Sequence, residues 1–118
     1  MSNLIVSNIS DGTDTVETSY VVNGSAKAWV NFNGTGAVAI RSSLNTSSIT
    51  DVGTGNYLQN FASGISDYVI TSTQYLASRG NGMAWNNTTS NAIVRIYDDA
   101  GALADADIVA NQVIGDLL

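Results

Sequence analysis

Period-two alternation runs through most of this chain. Over residues 25–33, Ala26, Ala28, Val30 and Phe32 fall on one side of an extended backbone, and Lys27, Trp29, Asn31 and Asn33 on the other. Residues 37–43 follow after the turn Asn33-Gly34-Thr35-Gly36 and place Val38 and Ile40 on an apolar face, so the two segments predict a hairpin. Asn56–Phe61 sets Tyr57, Gln59 and Phe61 against Leu58 and Asn60. Residues 67–76 are dense in β-formers, among them Tyr68, Val69, Ile70, Thr71, Thr73 and Tyr75. Residues 92–97 and 107–114 complete the set. In the last of these, Ile108, Ala110 and Ile114 oppose Val109 and Val113, which predicts a strand buried on both faces.

Turn signals separate these segments at short intervals: Asp11-Gly12, Asn23-Gly24, Gly53-Thr54-Gly55, Gly80-Asn81-Gly82 and Asp98-Asp99-Ala100-Gly101. Short strands divided by frequent turns predict an all-β fold, an antiparallel β-sandwich-like domain. Residues 100–106 hold four alanines, but Gly101 and the short length favour a turn leading into the last strand. Residues 3–9 read as a strand or extended arm and residues 11–18 as loop. The expected organisation is therefore an N-terminal arm or attachment segment over 1–18 and one β-sandwich-like domain over 19–118.

Composition narrows the function. Polar positions are filled mainly by Ser, Thr, Asn and Gly, and only 12% of residues are charged, about half the usual share. Four Lys or Arg face ten Asp or Glu, for a net charge of -6. Lys27, Arg41, Arg79 and Arg95 are scattered, so neither a nucleic-acid footprint nor a polybasic membrane patch is expected. No apolar run reaches the ~20 residues of a bilayer span, and no membrane insertion is expected. Met1-Ser2-Asn3-Leu4-Ile5-Val6-Ser7 has neither the charged start nor the apolar stretch of a signal peptide, so synthesis in a cytoplasm is the expectation.

The chain has no histidine and no cysteine. Ser-His and Cys-His nucleophile pairs are thereby excluded, as are zinc sites built on nitrogen and sulfur. Asp98-Asp99 and Asp105-x-Asp107 are the carboxylate clusters that remain, and they read as a turn opener and a solvated loop. None of them, nor Asp11-Gly12-Thr13-Asp14, matches the calcium loop pattern, and Gly34-Thr35-Gly36 lacks the features of a phosphate loop. No catalytic residue, metal ligand or cofactor is expected, and the chain reads as a non-enzyme.

Binding chemistry is better represented. Residues 78–91 bring Arg79, Asn81, Trp85, Asn86 and Asn87 together, with Tyr75 just before them. Rings that stack on sugars beside amides that bond hydroxyls suit recognition of a surface glycan. The structural alternative is a short apolar strand, Met83-Ala84-Trp85, set against the core. Trp29, on the polar side of its strand, and Val109 and Val113, in a strand apolar on both faces, are the candidate oligomer interface.

The run Val22-Asn23-Gly24-Ser25-Ala26-Lys27-Ala28-Trp29-Val30-Asn31-Phe32-Asn33-Gly34-Thr35-Gly36 resembles a module of tailed bacteriophages, especially marine ones. The resemblance continues through Val38-Ala39-Ile40-Arg41, Leu44-Asn45, Ser47-Ser48-Ile49-Thr50-Asp51, Gly53-Thr54-Gly55-Asn56-Tyr57 and Asn60-Phe61. It resumes at Val94-Arg95-Ile96-Tyr97, Ala104-Asp105 and Val113-Ile114-Gly115-Asp116. Such modules occur in tail fibres and related virion appendages. The resemblance implies a β-rich homotrimer that builds the particle or contacts the host surface, and it supplies no catalytic residue. The sequence departs from the pattern over residues 62–67, which are short and lack proline, and in its small size. That leaves three roles, in order: a trimeric tail-fibre or appendage protein of the virion, a capsid decoration (cement) protein bound to the major capsid protein, and a carbohydrate-binding module. The expected partners are a second and third copy of the chain, other virion proteins of tail or capsid, and a host surface glycan.

Overall fold

The computed structural model describes residues 1–76 and 80–118. Among the described residues ten strands and one short helix follow one another as β1 (Asn8–Ser10), β2 (Thr15–Glu17), α1 (Thr18–Gly24), β3 (Ala26–Asn33), β4 (Ala39–Leu44), β5 (Thr46–Gly53), β6 (Asn56–Phe61), β7 (Ile65–Tyr75), β8 (Asn81–Asn86), β9 (Asn91–Tyr97) and β10 (Ile108–Leu117). Strands β3 to β10 form two four-stranded antiparallel sheets, in the orders β4-β3-β10-β7 and β5-β6-β9-β8. The sheets pack face to face as a sandwich. The first is called sheet I below, the second sheet II.

The alternation read from the sequence sets the inner faces. Strand β3 contributes Ala28, Val30 and Phe32, strand β6 Tyr57, Gln59 and Phe61, and strand β9 Ala92, Val94 and Ile96. These side chains fall into two apolar clusters. One gathers Val30, Phe32, Tyr57, Val94, Ile96, Ala106 and Val109, with Phe32 and Tyr57 edge to face at 5.3 Å. The other gathers Ala28, Phe61, Ile65, Tyr68, Ala92 and Val113, with Phe61 and Tyr68 edge to face at 5.4 Å. A polar layer lies between them, where Asn111 of β10 donates to Gln59 of β6 at 3.2 Å.

The predicted hairpin over residues 25–43 is present as β3 paired with β4. Strand β4 then passes to the other sheet through Asn45 alone. This residue has φ +50°, a left-handed conformation that asparagine tolerates better than most. Its side chain clamps the neighbouring connection, accepting from the Ser63 amide at 2.6 Å and donating to the Ser63 carbonyl at 3.0 Å.

Two expectations are corrected, and one alternative is decided. Strand β10 is not buried on both faces: Val109, Asn111 and Val113 face the core, while Ile108 and Gln112 are exposed. The strand alternative for Met83-Ala84-Trp85 is present: residues 81–86 form strand β8, paired along its length with β9, with Ala84 packed on the core and Met83 exposed. Residues 11–18 are not all loop. Thr15–Glu17 pair with Asn8–Ser10 as the β1–β2 hairpin, and helix α1 follows to Gly24. Residues 100–106 form a turn as expected, and Ala106 closes into the core with no exposed surface.

Candidate functional site

Two sheet faces point away from the core, and each carries one tryptophan. On sheet II, cross-strand register brings Met83 and Trp85 of β8 beside Arg95 and Ile93 of β9, and those beside Asn56 and Leu58 of β6. The Arg95 guanidinium lies 5.2 Å over the Trp85 ring, a cation–π pair that occupies part of the indole. Asn60 donates to Ser48 at 3.0 Å and to Thr50 at 2.9 Å, which fixes the amide end of this face.

The recognition residues expected from the sequence do not converge on one surface. Tyr75 lies on the outer face of sheet I, opposite Ile108. Asn81 and Trp85 lie on sheet II. Asn87 is a structural turn residue, donating to Asn91 Oδ1 at 2.6 Å while its amide N–H reaches the Tyr68 hydroxyl at 3.3 Å. Asn86 ends β8 and is exposed. Arg79 lies outside the described residues. The reason is topological: β7 and β8 belong to different sheets, so residues a few positions apart face opposite sides of the molecule.

The interface candidates also separate. Val109 and Val113 have no exposed surface and sit in the two core clusters. They are unavailable to a partner, because the strand turns its Asn111 side inward. Trp29 is on the outer face of sheet I, as its alternation indicates, and is half-buried. It borders an open groove of about 460 Å³ lined by Trp29, Asn31, Thr71, Thr73, Ala110 and Gln112. Residue-by-residue reading missed this groove because its walls come from three strands far apart in the chain. The partial signal was the alternation of 67–76, which sets Thr71, Thr73 and Tyr75 on one side.

The carboxylates have structural duties. Asp98 Oδ1 accepts the amides of Ala100 and Ala102 at 2.9 Å each, closing the turn it opens. Asp107 pairs with Arg41 at 3.3 Å on an exposed surface. Asp105 Oδ1 accepts from the Gly55 amide and from the buried Tyr57 hydroxyl, both at 2.8 Å. The same hydroxyl is 2.8 Å from the Gly34 carbonyl. Burial, reinforced by the Asp105 carboxylate, pushes the Tyr57 hydroxyl well above the ordinary tyrosine range. Among the described residues no group of three or more acidic side chains is placed to hold a metal ion.

A third surface is the N-terminal segment. None of residues 1–24 is buried, yet Leu4, Ile5, Ile9, Tyr20 and Val22 are large apolar side chains, with Leu4 84% and Ile5 92% exposed. Among the described residues no helix is long and apolar enough to cross a membrane.

Comparison with protein-family models, with curated proteins and with solved structures finds no match to this chain.

Proposed function

We propose that the chain is a non-catalytic structural subunit of a bacteriophage particle, a trimeric tail-fibre or appendage protein whose sandwich is presented outward from an N-terminal attachment segment. The observation that carries this reading is the exposed apolar surface of residues 1–24. A segment that folds locally but buries none of its Leu, Ile, Val and Tyr side chains is built to be covered by another surface. The phage context comes from the resemblance of Val22 to Gly36 and the segments after it. The trimer in this reading is held along residues 1–24, since Val109 and Val113 are committed to the core.

The uncharged polar surface agrees with an extracellular particle, where Ser, Thr and Asn carry solvation in place of charge. The structural use of Asp98, Asp105 and Asp107 leaves those carboxylates to hold turns and loops.

The test replaces Leu4, Ile5 and Val6 together with serine. The intact chain is expected to sediment as a trimer at micromolar concentration and to be incorporated into particles. The triple variant is expected to sediment as a monomer, keep the far-ultraviolet spectrum of the sandwich, and be lost from particles. An intact chain that sediments as a monomer, or a variant incorporated as well as the parent, would overturn the reading. Electron microscopy of labelled particles then separates density on the tail from density on the head, where a decoration protein would sit.

A further inference from the structure

We propose that the outer face of sheet I is a binding groove for a neutral polysaccharide, centred on Trp29. The groove of about 460 Å³ is walled by an indole, two side-chain amides and two hydroxyls: Trp29, Asn31, Gln112, Thr71 and Thr73. None of these groups is ionisable. An indole ring supplies an apolar platform for the C–H face of a pyranose. Amides and hydroxyls supply both donors and acceptors, which is what a ring of sugar hydroxyls requires. Peptide ligands of β-sheet proteins add at a strand edge, whereas here the central strand β10 forms the floor between β3 and β7.

Two cations flank the groove, and each is held by bonds within the protein. Arg41 donates to Asn31 Oδ1 at 3.4 Å and is held by the Asp107 carbonyl at 2.8 Å and carboxylate at 3.3 Å. The Lys27 ammonium folds back to the Ser25 carbonyl at 2.8 Å. Among the described residues the two cations nearest the groove, Arg41 and Lys27, are engaged in these bonds, and with a net charge of -6 on the chain the groove favours a neutral polymer over an anionic one. The same face continues to Tyr75, which is 59% exposed and sits opposite Ile108, as Trp29 sits opposite Gln112. Four residues along and two strands across put the two aromatic positions about 17 Å apart, a span suited to a short run of sugar units. Sheet II offers no equal site, since its Trp85 ring is already paired with Arg95.

This inference does not depend on how the chain is attached to a particle. The test is affinity electrophoresis of the intact chain in gels containing dextran, laminarin, soluble starch or hydroxyethyl cellulose, with alginate as the anionic control. Retardation is expected on at least one neutral polymer and not on alginate. Trp29→Ala should weaken that retardation about tenfold or more, and Gln112→Ala, an exposed substitution that leaves the core untouched, should weaken it several-fold. Trp85→Ala should leave it within about twofold. Sedimentation of the same variants should show an unchanged mass. No retardation on any neutral polymer, equal losses in Trp29→Ala and Trp85→Ala, preference for alginate, or a change of oligomeric state in Trp29→Ala without sugar binding would each overturn the proposal.

Discussion

Asn111 donates its side-chain amide to the side-chain carbonyl of Gln59 at 3.2 Å, joining the two sheets through the interior. Both residues are essentially unexposed, and each interrupts the apolar face of its own strand, between Val109 and Val113 and between Tyr57 and Phe61. Gln59 also donates to Thr46 at 2.9 Å, and the Thr46 hydroxyl donates to the Trp29 and Leu44 carbonyls at 3.3 Å. The polar layer thus ties the centre of the sandwich to the point where the chain changes sheets. Its register follows from this: a one-residue slip of β10 would bury Ala110 and Gln112 and strand Gln59 without its partner.

Removing Asn111 leaves the Gln59 carbonyl oxygen, and removing Gln59 leaves the Asn111 amide, buried without this partner, which costs about 1–3 kcal/mol. Asn111→Leu and Gln59→Met keep approximate side-chain shape, so each single change should lower the free energy of urea unfolding by that amount. The double variant should lose clearly less than the sum, because both ends of the hydrogen bond are then gone. Additive losses would show that the two side chains act independently.

The Tyr57 hydroxyl, Gly34 and Asp105 make a second prediction. A Cβ placed at Gly34 would lie 2.6 Å from the Tyr57 oxygen and 2.9 Å from the Ala106 carbonyl, while the Gly34 amide donates to that same Ala106 carbonyl at 2.8 Å. Gly34→Ala should therefore destabilise by about 1–3 kcal/mol through overpacking. Tyr57→Phe should cost about 1–2 kcal/mol for the lost hydroxyl partners. Combined, they should cost less than their sum, since the phenyl ring lacks the oxygen that the new methyl meets first. Thermal unfolding of the two single variants and the double variant checks this.

How far the sequence reaches is visible in β6 and β10. The bounds of β6 and its inward face follow from plain alternation, and Gln59 joins that face because Tyr57 and Phe61 bracket it. In β10 the alternation is ambiguous, with apolar residues on both sides. The deciding contact is Asn111 to Gln59, fifty-two positions apart, and no local pattern contains it. Strand β8 is similar. Gly80, Gly82 and the amides around them read as loop, and pairing with β9 makes the segment a strand. Helix α1 runs through Val21 and Val22, whose branched side chains argue for extended chain, and it buries nothing that would mark a helical face. The groove at Trp29 was half legible: the tryptophan's side of β3 was plain, but its neighbours from β7 and β10 depend on sheet order.

Two tyrosines give the fold an alkaline limit. Burial raises the Tyr57 and Tyr68 hydroxyls above the ordinary value of 10.0. For Tyr68 the hydroxyl is 3.0 Å from the Thr88 carbonyl and 2.7 Å from the Asn91 carbonyl, acceptors that favour the protonated form. A folded-state pKa above the unfolded one gives stability that is complete below pH 10 and is lost as pH rises through the folded value. The unfolding free energy should therefore be flat approaching pH 10 and fall above it. Tyr57→Phe and Tyr68→Phe should each shallow that fall, and subtracting their tyrosinate absorbance titrations from that of the parent should show both hydroxyls ionising late.

The N-terminal hairpin should respond to acid on its own. Asp11 Oδ1 accepts the amides of Thr13 at 2.9 Å and Asp14 at 2.8 Å, and Ser10 closes the same turn through its hydroxyl, donating to the Asp14 carbonyl at 2.8 Å. These amide hydrogen bonds, that from Asp14 foremost, hold the Asp11 carboxyl below its usual value of 3.8. A depressed folded-state pKa contributes above the unfolded value and is lost as pH falls through the folded one, so the hairpin should loosen only below about pH 4. Its carboxylate is fully exposed and the segment buries no residue, so the sandwich should not follow. Hydrogen exchange resolved by residue should show the amides of Thr13 and Asp14 losing protection in acid, or in Asp11→Ala at neutral pH, while Val30 and Val94 in the core keep theirs. Core amides that lose protection together with the turn would show that the hairpin and the sandwich unfold as one unit.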